Sequence, residues 1–238
     1  MDEKDIDNSL RLFLVESPNA MDLLQGRSES AAIEKICKLF GHEVASMIVR
    51  SKEELKTALE YVANIDEAHD ENEREDVPLC VHLGAHGDKI GLEFGKDVVT
   101  WKELFGLLEP LCEAMPAYNG KVVLVLSACN AAGQKLTAYI AKNYQDYEGV
   151  KPPAYLFATE DEAVHWDDAL VSWTIFYHKL PTLDLNEAKE VQRMINIIRA
   201  VAAKIVYWRW DDEKQVYRKY SGRTPKPLSQ KPREEDRS

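Results

Sequence analysis

The sequence predicts an α/β protein built on a mostly parallel central sheet. Short runs rich in β-branched and apolar residues alternate with longer segments of helical periodicity, which is typical of parallel strands joined by helices. The run Val122–Leu126 is continuously apolar, as expected for a strand buried on both faces. The chain has 238 residues, of which 45% are hydrophobic and 30% charged, so it can bury one sizeable core.

The expected elements follow one another in a regular order. A stripe of apolar residues ended by Gly41 predicts a helix over 28–41, and Ser51 with Glu54 predicts a capping box at the start of the next helix. Two short apolar runs around Gly95 predict a hairpin. The expected strands are residues 10–16, 43–49, 78–87, 119–129 and 153–160. Further helices are expected near 101–115, 131–144, 166–180 and 185–203, followed by a terminal hairpin of 205–210 and 215–220.

Two segments read as irregular. The acidic run 65–76 lacks apolar periodicity and is expected to be either a solvated surface loop or the frayed end of the preceding helix. Residues 221–238 are polar and rich in proline, so we expect a disordered tail that follows a single domain of residues 1–220.

The charge and cysteine content exclude several classes of protein. A formal net charge of −11 argues against binding to nucleic acid or to an anionic membrane. The acidic first residues are unlike a signal peptide, and no apolar stretch is long enough to span a bilayer. The four cysteines are widely spaced and form no CxxC pair, so we expect a cytoplasmic, reduced protein with neither disulfides nor a zinc site.

Two of the buried strands end in a residue that can carry chemistry. One ends at His86 and the other at Cys129, which lies 43 residues further along the chain. Because ligands bind beyond the carboxyl ends of parallel strands, adjacent strands would bring the imidazole and the thiol into one crevice. A histidine can activate a cysteine thiol as a nucleophile, and the order and spacing agree with those of caspases.

The segment Val81–Leu92, VHLGAHGDKIGL, resembles the His-Gly motif of caspase-like cysteine peptidases, especially those of the CHAT family. The segment Leu124–Gly133, LVLSACNAAG, is similar to the nucleophile motif of the same family, with Ala132 in place of the family's threonine. The resemblance covers roughly residues 10–177. It implies a three-layer α/β/α caspase-like fold.

The resemblance also implies a mechanism and a setting. Cys129 would attack the scissile carbonyl, His86 would shuttle the proton, and the backbone N–H groups of Gly87 and Cys129 would stabilise the oxyanion. No metal or other cofactor is required. The implied substrate is a specific protein, a regulatory protein partner is a further expectation, and bacterial relatives are often associated with defence or cell-death systems.

Substrate preference remains open between two alternatives. Arg27 lies where caspases carry an arginine that binds an acidic side chain, whereas Glu160 and Asp161 could instead bind a basic one. Ser127 stands two residues before Cys129, where relatives carry specificity residues, and supports neither alternative strictly. The net acidity of the chain favours basic specificity.

Two other functions compete with peptidase activity. The chain could be a catalytically silent caspase-like module that acts as a scaffold or regulator, although it retains both members of the dyad. It could also be another α/β thiol hydrolase, which the absence of a GxSxG-like elbow disfavours. His82, on the same strand face as His86, is expected to pack beneath the site rather than to bind a metal.

Overall fold

The computed structural model describes residues 9–66, 79–112, 122–133, 135–144 and 151–221. Within these residues the chain forms nine strands and eight α-helices, so the predicted α/β class is confirmed. The strands are β1 Arg11–Ser17, β2 Glu43–Ile48, β3 Leu79–Gly87, β4 Gly91–Phe94, β5 Asp97–Thr100, β6 Val123–Ser127, β7 Tyr155–Thr159, β8 Ile205–Asp211 and β9 Val216–Ser221. The helices are α1 Ala20–Leu24, α2 Glu29–Leu39, α3 Lys52–Ala63, α4 Trp101–Leu107, α5 Glu109–Cys112, α6 Leu136–Tyr144, α7 Trp166–Lys179 and α8 Ala188–Val201.

The central sheet is mixed but mostly parallel. Its strand order is β2-β1-β3-β6-β7-β8-β9, in which the first five strands run parallel and the last two pairings are antiparallel. The hairpin β4–β5 extends from the end of β3, and Gly95 occupies the left-handed region at its turn. The parallel strands β1, β3 and β6 therefore end at the same edge.

Apolar side chains on the two faces of the sheet form two separate cores. One core contains Val81 and Leu83 of β3 with Leu55 of α3 and Leu104 of α4. The other contains Cys80 of β3 with buried side chains of α2, α7 and α8, namely Ile33, Trp173, Phe176, Ile195 and Ile198. Alternation along β3 produces this division because successive side chains of a strand point to opposite faces.

Several local expectations are corrected by the structure. Ser51 caps α3 by accepting from the Glu54 N–H, but the Glu54 carboxylate accepts from Arg50 N–H rather than from Ser51, so no capping box forms. Residues 20–24 form α1, where the sequence indicated only a turn. The expected helix over 185–203 is shorter, at residues 188–201.

The expected tail and the expected acidic loop lie largely outside the residues that the structure describes. Ser221 is the last residue of β9 rather than the first of a tail, and the remaining residues 222–238 lie outside the described ranges. Most of the acidic run, residues 67–76, also lies outside them. Within the described ranges, no helix has the length and apolar character that a membrane crossing requires.

Candidate functional site

The register of the sheet aligns the two predicted catalytic residues. Strands β3 and β6 are parallel neighbours in which Gly84 stands opposite Ser127. His86 and Cys129 each lie two residues beyond this pair, at the same edge of the sheet. The prediction that two adjacent strands bring the imidazole and the thiol to one crevice is confirmed.

Gly87 brings the two strand ends into contact. A β carbon placed on this residue would lie 2.8 Å from the carbonyl oxygen of Cys129 and 3.0 Å from the β carbon of Ala128. Any larger residue would push the two segments apart. Gly87 itself pairs with Leu92 of β4 and directly follows His86, which lines the cavity, although Gly87 is not among the described lining residues.

The imidazole of His86 is held by the first turn of α1. Its Nε2 atom lies 2.8 Å from Oδ2 of Asp22 and 3.1 Å from Nδ2 of Asn19. Half of the His86 side chain is exposed, whereas the Asp22 side chain is 18% exposed. His86 therefore lines the cavity with one ring nitrogen held by its neighbours.

The thiol of Cys129 is half-buried and accepts a hydrogen bond from Val164 N–H at 3.4 Å. The next residue, Asn130, has a φ of 61°, a left-handed conformation that asparagine tolerates better than most residues. Its N–H donates to the Asp161 carbonyl and its side-chain amide to the Glu162 carbonyl. The turn that carries the thiol is thus fastened to the segment after β7.

His86 and Cys129 share a cavity without a direct hydrogen bond between their side chains in the described structure. The cavity has a volume of about 270 Å³. Among its described lining residues, Glu16, Asp22 and Glu29 are acidic, and Arg27 is the one lysine or arginine. The lining also includes Ser17, Pro18, Gly84, Ala85, Ser127, Ala128, Val164, His165, Trp166 and Ala169.

Glu29, the first residue of α2, lies at the end of a chain of buried hydrogen bonds below the cavity. Its Oε1 atom is 2.7 Å from Nε2 of His82, and Nδ1 of His82 is 2.8 Å from the Tyr177 hydroxyl. Burial raises the pKa of Tyr177 well above its ordinary value, so its hydroxyl keeps a proton that it can donate to His82. His82 can then donate its own proton to Glu29, and the prediction that His82 packs beneath the site is confirmed.

A second buried donor reaches the same carboxylate. The Ser127 hydroxyl donates to Oε2 of Glu29 at 3.1 Å, and it accepts the Trp173 indole N–H at 2.8 Å. Only 8% of the Glu29 side chain is exposed. All these donors point towards Glu29, which keeps an electron-rich group at the floor of the cavity.

Glu16 fixes the start of α2 beside this group. Its Oε1 atom accepts the Glu29 N–H at 2.8 Å, and its Oε2 atom accepts the Ser30 N–H at 3.1 Å and the Ser28 hydroxyl at 2.6 Å. These bonds satisfy backbone donors that the first turn of a helix leaves free. Strand β1 thereby sets the position of Glu29.

The predicted specificity residues divide into two groups. Arg27 and Ser127 line the cavity, although Ser127 is buried and directed at Glu29. Glu160 and Asp161 are not among the described residues that line it. Glu160 pairs with Arg199 at 2.8 Å and Asp161 with Lys204 at 2.9 Å, so their charges are neutralised by the chain itself and the geometry does not support a substrate pocket there.

Sequence reasoning missed the carboxylates that do line the cavity. In the sequence, Glu16 closes the expected strand 10–16, Asp22 lies in a segment read as a turn, and Glu29 lies at the start of the expected helix 28–41, so none of them stood out as a site residue. One signal was available for Asp22. Asn19 and Asp22 have the spacing of a capping box, which could have predicted α1.

The remaining cysteines contrast with Cys129. Cys37, Cys80 and Cys112 are buried. Burial raises the pKa of Cys37 to about 12 and that of Cys80 further, so both keep their protons. In the described parts of the chain, no group of three or more His, Cys, Asp or Glu residues is arranged to hold a metal ion.

No protein-family model matches the chain, and no curated protein sequence matches it either.

Proposed function

We propose that the chain is a cysteine endopeptidase with a caspase-like three-layer fold, in which Cys129 is the nucleophile and His86 the acid/base. The observation that carries the proposal is the register of β3 and β6, which puts both residues at equivalent positions on one cavity. The resemblance of both strand ends to caspase-like motifs supports the same assignment. Helices packed on both faces of the sheet agree with the proposed layers.

The proposed reaction uses groups that the cavity already contains. His86 accepts the thiol proton, and the Cys129 sulfur attacks the carbonyl carbon of the scissile peptide bond. The proton then passes from His86 to the leaving amine, which departs as the C–N bond breaks. Water, deprotonated by the same imidazole, hydrolyses the resulting thioester and regenerates the thiol. Backbone N–H groups of Gly87 and Cys129 are proposed to stabilise the oxyanion.

The charges around the cavity favour a basic side chain before the scissile bond. Three carboxylates line the cavity, compared with one guanidinium, that of the exposed Arg27. Glu29 accepts the Ser127 hydroxyl and has a side chain that is only 8% exposed, and charge interactions are strongest where water is scarce. The proposed substrate is therefore a protein with lysine or arginine at the cleaved position, recognised by Glu29 rather than by Glu160 and Asp161.

A peptide-library assay tests the proposal. The wild-type chain is expected to cleave peptides after Lys or Arg, while Cys129→Ala and His86→Ala lose cleavage by about 10³-fold or more. Cys112→Ala is the matched control, because it removes a buried thiol elsewhere in the fold. If the wild type cleaves no peptide or protein, or if Cys129→Ala retains full activity, the assignment is wrong.

A scaffold or regulatory module is the second candidate. It is favoured by one observation, namely that His86 bonds Asp22 and Asn19 while Cys129 bonds Val164, with no bond between the two. A thiol-reactive peptide probe discriminates the two functions. Rapid labelling confined to Cys129 supports the peptidase, whereas labelling no faster than that of an unfolded cysteine supports the scaffold.

A further inference from the structure

The capping box of α1 holds one carboxylate oxygen directly against His86. Oδ2 of Asp22 accepts the Asn19 backbone N–H at 3.2 Å, and the same oxygen lies 2.8 Å from Nε2 of His86. In return, Oδ1 of Asn19 accepts the Asp22 backbone N–H at 2.8 Å. The carboxylate of Asp22 is therefore held in place by two partners, the helix cap and the imidazole.

These contacts determine which nitrogen of His86 carries a proton. An ionised carboxylate can only accept, so Nε2 must donate to Asp22. Nδ2 of Asn19, at 3.1 Å, is a donor and would favour a bare Nε2 instead. The amide cannot simply flip, since Oδ1 of Asn19 is needed for the cap. The shorter, charge-assisted bond to Asp22 dominates, and Nδ1 is left with the lone pair.

We propose that Asp22 is a positioning residue for the proposed peptidase reaction, and that it keeps His86 in the Nε2–H tautomer. The inference rests on the proposed function, in which His86 takes the Cys129 proton. That proton moves from sulfur to the Nδ1 lone pair, leaving a thiolate and an imidazolium. The imidazolium then donates Nε2–H to the Asp22 carboxylate, which stabilises the charged pair. Asp22 contacts the imidazole and, within the described structure, has no bond to the thiol, so it acts on the reaction through His86.

The variant Asp22→Asn separates positioning from simple structural support. The single oxygen that serves both the cap and His86 becomes a neutral, weaker acceptor in asparagine, so the Asn19 amide N–H at 3.1 Å, which favours a bare Nε2, should then select the opposite tautomer. We expect kcat to fall about 10²-fold with KM changed less than about twofold, a smaller loss than for a fully buried triad carboxylate because the pair is partly exposed. Asp167→Asn removes a charge of the same kind from the exposed first turn of α7 and serves as the matched control.

Nitrogen NMR of the imidazole provides a readout that does not depend on peptide cleavage. With ¹⁵N-labelled histidine, the wild type is expected to show His86 mainly as the Nε2–H tautomer, and Asp22→Asn mainly as the Nδ1–H tautomer. His86→Gln assigns the signal. Asp167→Asn should leave the His86 signal unchanged.

The outcomes distinguish this inference from the proposed function. If the wild type cleaves peptides but Asp22→Asn has unchanged kcat or an unchanged tautomer, the positioning role is wrong and the peptidase stands. If the wild type cleaves nothing, the peptidase assignment fails, and the tautomer alone then decides whether Asp22 controls the proton of His86. A loss of kcat in Asp22→Asn with an unaltered tautomer would also overturn the role of Asp22.

Discussion

Gly87 lies against the backbone of Cys129, so closely that a β carbon on the glycine would be 2.8 Å from the Cys129 carbonyl oxygen. The same atom would be 3.0 Å from the Leu92 side chain on the opposite side. Neither neighbour can yield easily, because one is backbone and the other is buried in the core. The ends of β3 and β6 can therefore lie this close together because Gly87 has no side chain.

Gly87→Ala is expected to impair the site more than the fold. The added methyl group should push the turn of Cys129 away from His86 and destabilise the protein by about 1–3 kcal/mol, as overpacking does. We expect cleavage to fall at least tenfold, since misplaced reacting groups are costly. Urea unfolding and peptide hydrolysis measure the two effects.

Gly106→Ala is the control for this substitution. No atom lies within 4 Å of the added methyl group, and the residue is exposed on α4, so a gain of about 0.5–1 kcal/mol is expected with unchanged cleavage. Full activity in Gly87→Ala would show that the close approach to Cys129 is unimportant for the reaction.

Glu29→Gln is expected to weaken selection for basic side chains. The preference for Arg over Asp peptides in kcat/KM should fall about tenfold, equivalent to about 1.4 kcal/mol, because the charge at the cavity floor is removed. Stability should also fall by about 1–3 kcal/mol, as the new amide N–H meets donors already directed there. Glu34→Gln, further along α2, removes the same charge away from the cavity and should leave the preference unchanged.

Glu160→Gln is expected to destabilise the fold without changing the preference for basic peptides. Arg199 has a side chain only 7% exposed and would lose its charged partner, at a cost of about 1–3 kcal/mol in urea unfolding. The preference for basic peptides should remain as in the wild type. A loss of that preference would indicate that Glu160 binds the substrate, as the sequence suggested.

Acid is expected to destabilise the fold partly through His42. Burial lowers the pKa of this histidine; its Nε2 contacts the Tyr177 carbonyl at 3.1 Å and the nearby His178 adds repulsion. Since the unfolded chain binds the proton more readily, the stabilising contribution is complete above about pH 6.5 and is lost as the pH falls below it. His42→Gln keeps a donor for the carbonyl but cannot titrate.

The measurement for His42 is the slope of stability with pH. Urea unfolding of the wild type and of His42→Gln should show a shallower decline for the variant between neutral and mildly acidic pH. His165→Gln is the control, because it removes an exposed imidazole at the N-cap of α7, where the side chain makes no capping bond. Equal slopes for the wild type and His42→Gln would exclude His42 as a source of acid sensitivity.

The sheet, and the common position of His86 and Cys129 at its edge, could be predicted because each depends on local pattern. The apolar run before Cys129 and the one before His86 specify buried strands, and parallel strands end at a common edge. Adjacency of the two strands then follows from the fold class. Trp173 and Phe176, in the expected helix near 166–180, are fully buried in the core.

The floor of the cavity could not be predicted in the same way. Glu29 reaches Ser127 across 98 residues, and His82 reaches Tyr177 across 95. Such pairings depend on how α2 and α7 pack on the sheet, and nothing in the spacing of either segment specifies a partner. Glu160 and Asp161 were misleading for the same reason, because their cations lie at Arg199 and Lys204, after a further helix.

The hydrogen bond between Tyr177 of α7 and the buried His82 also implies an order in which parts of the chain can pack during synthesis. Tyr177 and Trp173 leave the ribosome long after His86 and Cys129 have done so. Until α7 emerges, Glu29 and His82 have no complete set of partners, and loops that close over such distances form late. A nascent chain therefore carries both reactive side chains before it has a finished cavity, and truncation ahead of α7 should leave them without one.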